Sequence, residues 1–296
     1  MKKVPFLSIL AVCMMLFANT VLANQVWKEI SDDGKYGKFF EPASVKRLEV
    51  VNGVATNIGA LIKTTFSPEA AAETVANYEI AGTVDPAKLA WSVAAVEMNP
   101  QHRTIEYVKE DFFDAAGKVI WSKTYEPRTE KEINSMAFDE DYYAAVIDVI
   151  FRQGEMARCR AADRWKSIWQ TTLPDGSSQA AMVDTSTLRQ RGEDNLIYWE
   201  WTETKNITGE VTEVKFLKKT LQLTKGSEKV LQGRVWSLSA NAWKDVAPKG
   251  DYETIPANGP RSGGLTIMRA YAKGYQYWLN RYRTDKKVGL PGKKAA

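Results

Sequence analysis

Histidine and cysteine are nearly missing from this sequence of 296 residues, which has one His, at position 102, and two Cys, at 13 and 159. That inventory excludes a zinc site built from His and Cys. Any nucleophile and base pair would have to rest on His102 alone. His102 stands at the start of a strand pattern beside Arg103, with no Cys partner and no evident Ser triad, and reads as a polar surface residue rather than a general base. No Gly-rich phosphate loop followed by Lys and Ser or Thr is present, and Gly263-Gly264 is only a flexible approach to a helix. Long apolar runs are scarce too, so a multi-pass membrane protein is a poor reading. With 44% hydrophobic and 26% charged residues, the chain can bury sizeable cores and is neither disordered nor collagen-like.

The one sustained apolar run, Phe6 to Phe17, follows Lys2-Lys3 and precedes the small-residue ending Val21-Leu22-Ala23. This is the pattern of a secretory signal over residues 1–23, leaving Asn24 as the first mature residue and no stable membrane span. Leu10-Ala11-Val12-Cys13 has Val where a lipoprotein signal wants a small residue, which argues against a lipid anchor. Cys159 is then the only mature cysteine. No intrachain disulfide can form, and stability in an oxidising compartment must come from apolar cores. Cys159 reads as a small buried residue near the end of a helix.

Charge is distributed unevenly. Residues 24–164 hold 17 basic and 23 acidic side chains, residues 165–283 hold 17 and 12, and the tail 284–296 adds Lys286, Lys287, Lys293 and Lys294 against Asp285. The basic balance therefore belongs to the ends, not to the folded body. A phosphate-binding surface needs clustered Lys and Arg on that body, so nucleic acid is not an expected partner. The opposite charges of the two halves suit a contact between halves of one chain or head to tail between chains; scattered solvated surface is the plainer expectation. The Lys-rich tail reads as a flexible, solvated end.

Imperfect duplication is the main organisational signal. Trp27-Lys28-Glu29-Ile30 is echoed by Trp165-Lys166-Ser167-Ile168, Phe40-Glu41-Pro42-Ala43-Ser44-Val45 by Val183-Asp184-Thr185-Ser186-Thr187-Leu188, and Val119-Ile120-Trp121-Ser122 by Arg234-Val235-Trp236-Ser237. Alternating apolar positions predict strands over 25–30, 36–41, 56–66, 89–98, 102–113 and 118–125, and again over 165–172, 179–183, 196–205, 211–223 and 230–240. Ser67-Pro68-Glu69 opens a short Ala-rich helix. Tyr142, Tyr143, Val146, Ile147, Ile150 and Phe151 give one apolar helical face within residues 138–160. Leu265, Met268, Tyr271, Tyr275, Trp278, Leu279 and Tyr282 give another within 264–282. The expected fold is α+β: two tandem antiparallel-sheet units, 24–164 and 165–283, each closed by a C-terminal helix.

Candidate chemistry is thin. Asp139, Glu140 and Asp141 could be offered as hard-metal ligands, but they precede a helix and complement its dipole. Asp32-Asp33-Gly34 lacks the further acidic ligands of a calcium loop and reads as a turn. No cofactor and no metal are expected. The aromatics are the richer lead, since Trp199 and Trp201 alternate with Tyr198 on one strand and load both of its faces. If a helix covers one face, the other needs a neighbouring unit, a second subunit or a ligand. Tyr198, Trp199 and Trp201 are the candidate partner contacts, with Tyr198 expected to be the more exposed. Trp27, Trp121, Trp165 and Trp236 are expected in the core.

Together, Trp27 with Phe40-Glu41-Pro42-Ala43-Ser44-Val45, Leu61-Ile62-Lys63-Thr64-Thr65-Phe66, Phe113-Asp114-Ala115-Ala116-Gly117-Lys118-Val119-Ile120, Trp165, Val183-Asp184-Thr185-Ser186-Thr187-Leu188 and Trp243-Lys244-Asp245-Val246 resemble the surface-adhesin protein E-like family, as two tandem copies. The resemblance implies extracytoplasmic antiparallel sheets, association through strand edges and adhesion to matrix proteins at the cell surface. None of these motifs is catalytic. The chain departs from the family pattern in lacking a lipid-anchor Cys and a mature Cys pair. The expected function is an exported, non-enzymatic module that binds an envelope or extracellular protein. The alternative is a periplasmic assembly protein that self-associates through its opposite-charge halves.

Overall fold

The computed structural model describes residues 26–285. The expected signal over 1–23 lies outside the described residues, as does the tail from 286 onward. Two antiparallel sheets of eight strands follow one another along the chain. The first contains β1 (Lys28–Asp32), β2 (Tyr36–Phe40), β3 (Lys46–Val51), β4 (Val54–Phe66), β5 (Trp91–Asn99), β6 (Thr104–Phe113), β7 (Val119–Thr124) and β8 (Lys131–Glu132). The second contains β9 (Trp165–Thr172), β10 (Ser178–Asp184), β11 (Arg189–Arg191), β12 (Asn195–Lys205), β13 (Val211–Gln222), β14 (Ser227–Ser237), β15 (Ala242–Val246) and β16 (Glu253–Thr254).

The duplication is topological. The first sheet runs β1-β2-β4-β5-β6-β7 with β3 on β4 and β8 on β6, and the second runs β9-β10-β12-β13-β14-β15 with β11 on β12 and β16 on β14. Every strand of one sheet thus has its counterpart eight strands later. The first two sequence echoes join equivalent elements, β1 to β9 and the end of β2 to the end of β10. The third joins β7 to β14, which are not equivalent, and is corrected: β14 answers β6, and β15 answers β7. An insertion explains the drift in spacing. Helix α1 (Pro68–Asn77) lies between β4 and β5, whereas a short turn over residues 206–210 joins β12 to β13. Ser67 caps α1 by accepting from the Ala70 N–H at 3.2 Å, with Pro68 at the first helical position, as its sequence predicts. Ala71 and Val75 of α1 pack with Val84, Leu89 and Phe112 into a satellite core.

Each main core lies between a sheet and the helices that follow it. In the first unit Ile58, Ile62, Val96, Met98 and Ile105 meet Tyr142, Tyr143, Val146 and Ile147 of α2 (Glu140–Phe151). The expected single helix over 138–160 is interrupted. Arg152 turns left-handed at φ 54° and Gly154 at φ 80°, and a short α3 (Glu155–Cys159) begins anew. The Asp148 carboxylate accepts from the N–H groups of Gly154, Glu155 and Met156 at 2.9, 2.8 and 3.0 Å, satisfying donors exposed by the break. In the second unit Ala181, Val183, Leu196, Tyr198 and Leu221 meet Met268, Tyr271 and Ala272 of α4 (Pro260–Gly274). Here too the helix is split, with α5 (Gln276–Leu279) following a break at Tyr275. Tyr275 is 53% exposed and stacks on Tyr271 instead of joining the buried stripe.

The two units interlock. Tyr282, just beyond α5, inserts into the core of the first unit and meets Phe151 edge to face at 4.6 Å. Gln101 donates to the Tyr282 carbonyl at 2.7 Å and Asn52 to the Thr284 carbonyl at 2.6 Å. The end of the second unit is therefore a structural part of the first.

Candidate functional site

Between the units lies a cluster of largely buried charged side chains. Glu155, 0% exposed, is placed there by the break before α3. Its carboxylate is approached by Arg281 Nε at 2.7 Å, Arg189 Nη2 at 3.2 Å and Arg103 Nη1 at 3.3 Å, and accepts from the Tyr282 hydroxyl at 2.6 Å. Arg103 also donates to Glu140 at 2.7 Å, and Glu140 and Asp184 are both paired with Arg164. Most of the remaining guanidinium donors go to backbone carbonyls: Arg103 Nε to Ile133, Arg281 Nη1 to Leu188 and Trp278, and Arg103, Arg189 and Arg281 all to Ser186. Burial alone would raise the Glu155 pKa, but Arg281, Arg189 and Arg103 outweigh it and hold the carboxyl down at about 2. Arg281 has the poorer balance: burial and the facing Arg189 push its pKa down against the attraction of Glu155.

Glu155 comes from the first unit, and Arg189 and Arg281 from the second. A second bridge, Glu132 of β8 to Lys218 of β13 at 2.8 Å, repeats that polarity. A third bridge, Arg164 of the first unit to Asp184 of the second at 2.6 Å, runs the other way, so the pairs across the junction join the units without following the charge difference between halves throughout. The cluster is fully engaged with itself and supplies no open acid or base. Asp139, Glu140 and Asp141 point to different partners: Asp139 to Tyr107, Glu140 to the two arginines, and Asp141 to Ser31 and Arg160. Among the described residues no three His, Cys, Asp or Glu side chains converge as a metal site would require. Cys159 is buried against Arg103, and burial is the main cause raising its thiol pKa. His102 lies exposed on the β5–β6 turn, its pKa lowered by partial desolvation and by the charges of Arg191 and Lys218, with Glu130 and Glu132 opposing.

The other feature is the outer face of the second sheet. Cross-strand register places Met182 opposite Trp201, Trp201 opposite Phe216, Phe216 opposite Arg234, Trp199 opposite Lys218 and Trp236 opposite Trp243. These residues share one face. Phe216 is wholly buried beneath Trp199, Trp201 and Trp165, with ring centroids 4.5, 5.8 and 6.5 Å away. Trp201 meets Trp243 edge to face at 6.2 Å, and the Arg234 guanidinium lies 5.5 Å from the Trp243 ring centre. One end of the face is covered by the first unit, where Trp199 Nε1 donates to Glu132 at 3.2 Å. Trp165, Trp201, Trp236 and Trp243 are half-buried.

Of the three contact candidates, the structure keeps only Trp201 partly open. Tyr198 is 1% exposed and Trp199 5%, so the expected exposure of Tyr198 is corrected. Tyr198 belongs to the face under α4, next to Leu196 and Leu221, while Trp199 closes over Phe216. The expected core positions of Trp165 and Trp236 are likewise corrected to this outer face, whereas Trp121 packs against the satellite core as expected. Trp243 enters the sequence reading only within the family resemblance. Its signal was a lone Trp in Ala242-Trp243-Lys244-Asp245-Val246, a strand too short to stand out by alternation. No protein-family model matches the chain, and no curated protein matches it.

Proposed function

We propose that this protein is an exported, non-enzymatic binding module whose partner-contacting surface is the aromatic face formed by Trp165, Trp201, Trp236 and Trp243. The observation that carries the reading is the partial exposure of four tryptophans over one sheet face, around a buried Phe216. Aromatic residues with an adjacent Arg are the enriched contact types of protein interfaces. The self-contained ion cluster supports the non-enzymatic part, since each carboxylate in it is occupied by guanidinium groups. Assembly through opposite-charge halves is the weaker reading, because Glu155 and Glu132 already meet Arg189, Arg281 and Lys218 within the chain.

The partner class is an envelope or extracellular protein, and an adhesin-like role at the cell surface is one form of it. The test is cross-linked co-purification from native cells of the wild-type chain and of a Trp201→Ala/Trp243→Ala variant. A defined protein partner lost in the variant, with folding retained, supports the reading. An unchanged set of partners sinks it. Protease added to intact cells then separates a surface role from one protected inside the envelope.

A further inference from the structure

A cleft of about 210 Å³ opens above the ion cluster, between the β5–β6 turn of the first unit and the C-terminal segment of the second. Its lining includes Gln101 and His102 from one side and Arg189, Arg191, Tyr282 and Arg283 from the other. Two of the arginines are already engaged, Arg189 with the Glu155 carboxylate at 3.2 Å and Arg283 with Asp285 at 2.7 Å. Arg191 differs. It is exposed, and among the described residues its side chain has no hydrogen-bond or ion-pair partner. The cleft therefore carries an uncompensated guanidinium at its rim, beside the polar side chains of Gln101, His102 and Gln190. A guanidinium fork is the side chain best matched to carboxylate and phosphate oxygens. The volume is below the roughly 300–1,000 Å³ usual for drug-sized ligands, which limits the occupant to a small molecule.

We propose that this cleft binds a small organic anion, a phosphate ester or a carboxylate with a short carbon skeleton, through Arg191, and that the bound anion joins the two units. The site is separate from the aromatic face and independent of the partner proposed for it. Because Gln101 and His102 come from one unit and Arg191 and Arg283 from the other, occupancy stabilises their junction by mass action.

The single histidine makes the test direct, because His102 gives the only imidazole signals in the full chain. Partial desolvation is the main cause lowering its pKa and the charge of Arg191 adds to it, so an anion seated beside Arg191 raises it. The experiment is an NMR titration of His102 at constant ionic strength in chloride, with inorganic phosphate and with succinate as probes, on wild type, Arg191→Gln and Arg191→Lys. The expected result is a saturable rise in the His102 pKa with at least one probe. That response is lost in Arg191→Gln and weakened several-fold in Arg191→Lys, which keeps the charge without the fork. A response to phosphate alone assigns a phosphate ester, and to succinate alone a carboxylate. No saturable rise with either probe, or a rise that persists in Arg191→Gln, overturns the proposal. The exposure of Arg191 makes both variants compatible with folding, and the dispersion of the same spectra reports it.

Discussion

Replacing Glu155 with Gln keeps the shape of the side chain at the unit junction and removes its charge. Three guanidinium groups within 3.3 Å, together with the Tyr282 hydroxyl, then face a neutral amide in a fully buried site. Breaking a buried ion pair by removing one partner costs about 3–5 kcal/mol, because the remaining charge is left uncompensated. For a protein of this size each kcal/mol lowers the thermal midpoint by about 2–4 °C, so Glu155→Gln is expected to lower it by roughly 6–20 °C. The assay is paired thermal and urea unfolding, with Glu253→Gln as the control. Glu253 pairs with Lys249 on the surface, each 53% exposed, and its loss is expected to leave the thermal midpoint nearly unchanged. A Glu155→Gln loss below about 1 kcal/mol would refute the reasoning, since the carboxylate would then not be the element that fastens the units.

Acid stability follows from the same group. With a folded pKa of about 2 against an ordinary 4.5, the contribution of Glu155 is fully present above pH 4.5 and is lost as pH falls toward 2; the difference corresponds to about 3 kcal/mol. Unfolding free energies measured across that window should fall steeply for wild type and less steeply for Glu155→Gln, and parallel slopes would contradict the assignment. Gly233 sits in β14 at φ 157°, where an added Cβ would lie 2.4 Å from the Phe216 carbonyl oxygen, so Gly233→Ala should cost more than about 2 kcal/mol in urea unfolding. Gly209→Ala, at φ 85° with open space around it, should cost about 1 kcal/mol. Cys159 is buried and its thiol pKa is raised, so a thiol reagent should label it only as fast as the protein opens; rapid labelling of the folded chain would contradict its burial.

Local alternation carried most of the strand pattern. Residues 165–172 form β9 with the bounds expected, and 211–223 differs from β13 by one residue. Missed strands were short or lacked a buried face: β11 has three residues, and β3, although paired with the next strand β4, faces solvent throughout despite Leu48, Val50 and Val51. Helical periodicity marked α2 and α4 but not their ends, because Ile150 and Phe151 continue the apolar pattern up to the left-handed turn at Arg152. The misplacement of Tyr198 has a similar origin. A strand that is apolar on both sides does not say which side a helix will cover, and that is decided by α4, nearly 70 residues away. Glu155 was invisible for a stronger reason. Its partners Arg103, Arg189 and Arg281 are 52, 34 and 126 residues distant, so only the interlocking of the units turns an ordinary acidic residue into a buried anchor.

The most direct test of the binding proposal is photo-cross-linking in native cells, with a photoreactive phenylalanine derivative placed at position 201 or 243 and, as a control, at Lys118 on the far hairpin of the first sheet. The account predicts adducts to the same envelope or extracellular protein from 201 and 243, and none from 118. Adducts that are absent at 201 and 243, or equally abundant at 118, would contradict the claim that the aromatic face is where this protein meets its partner.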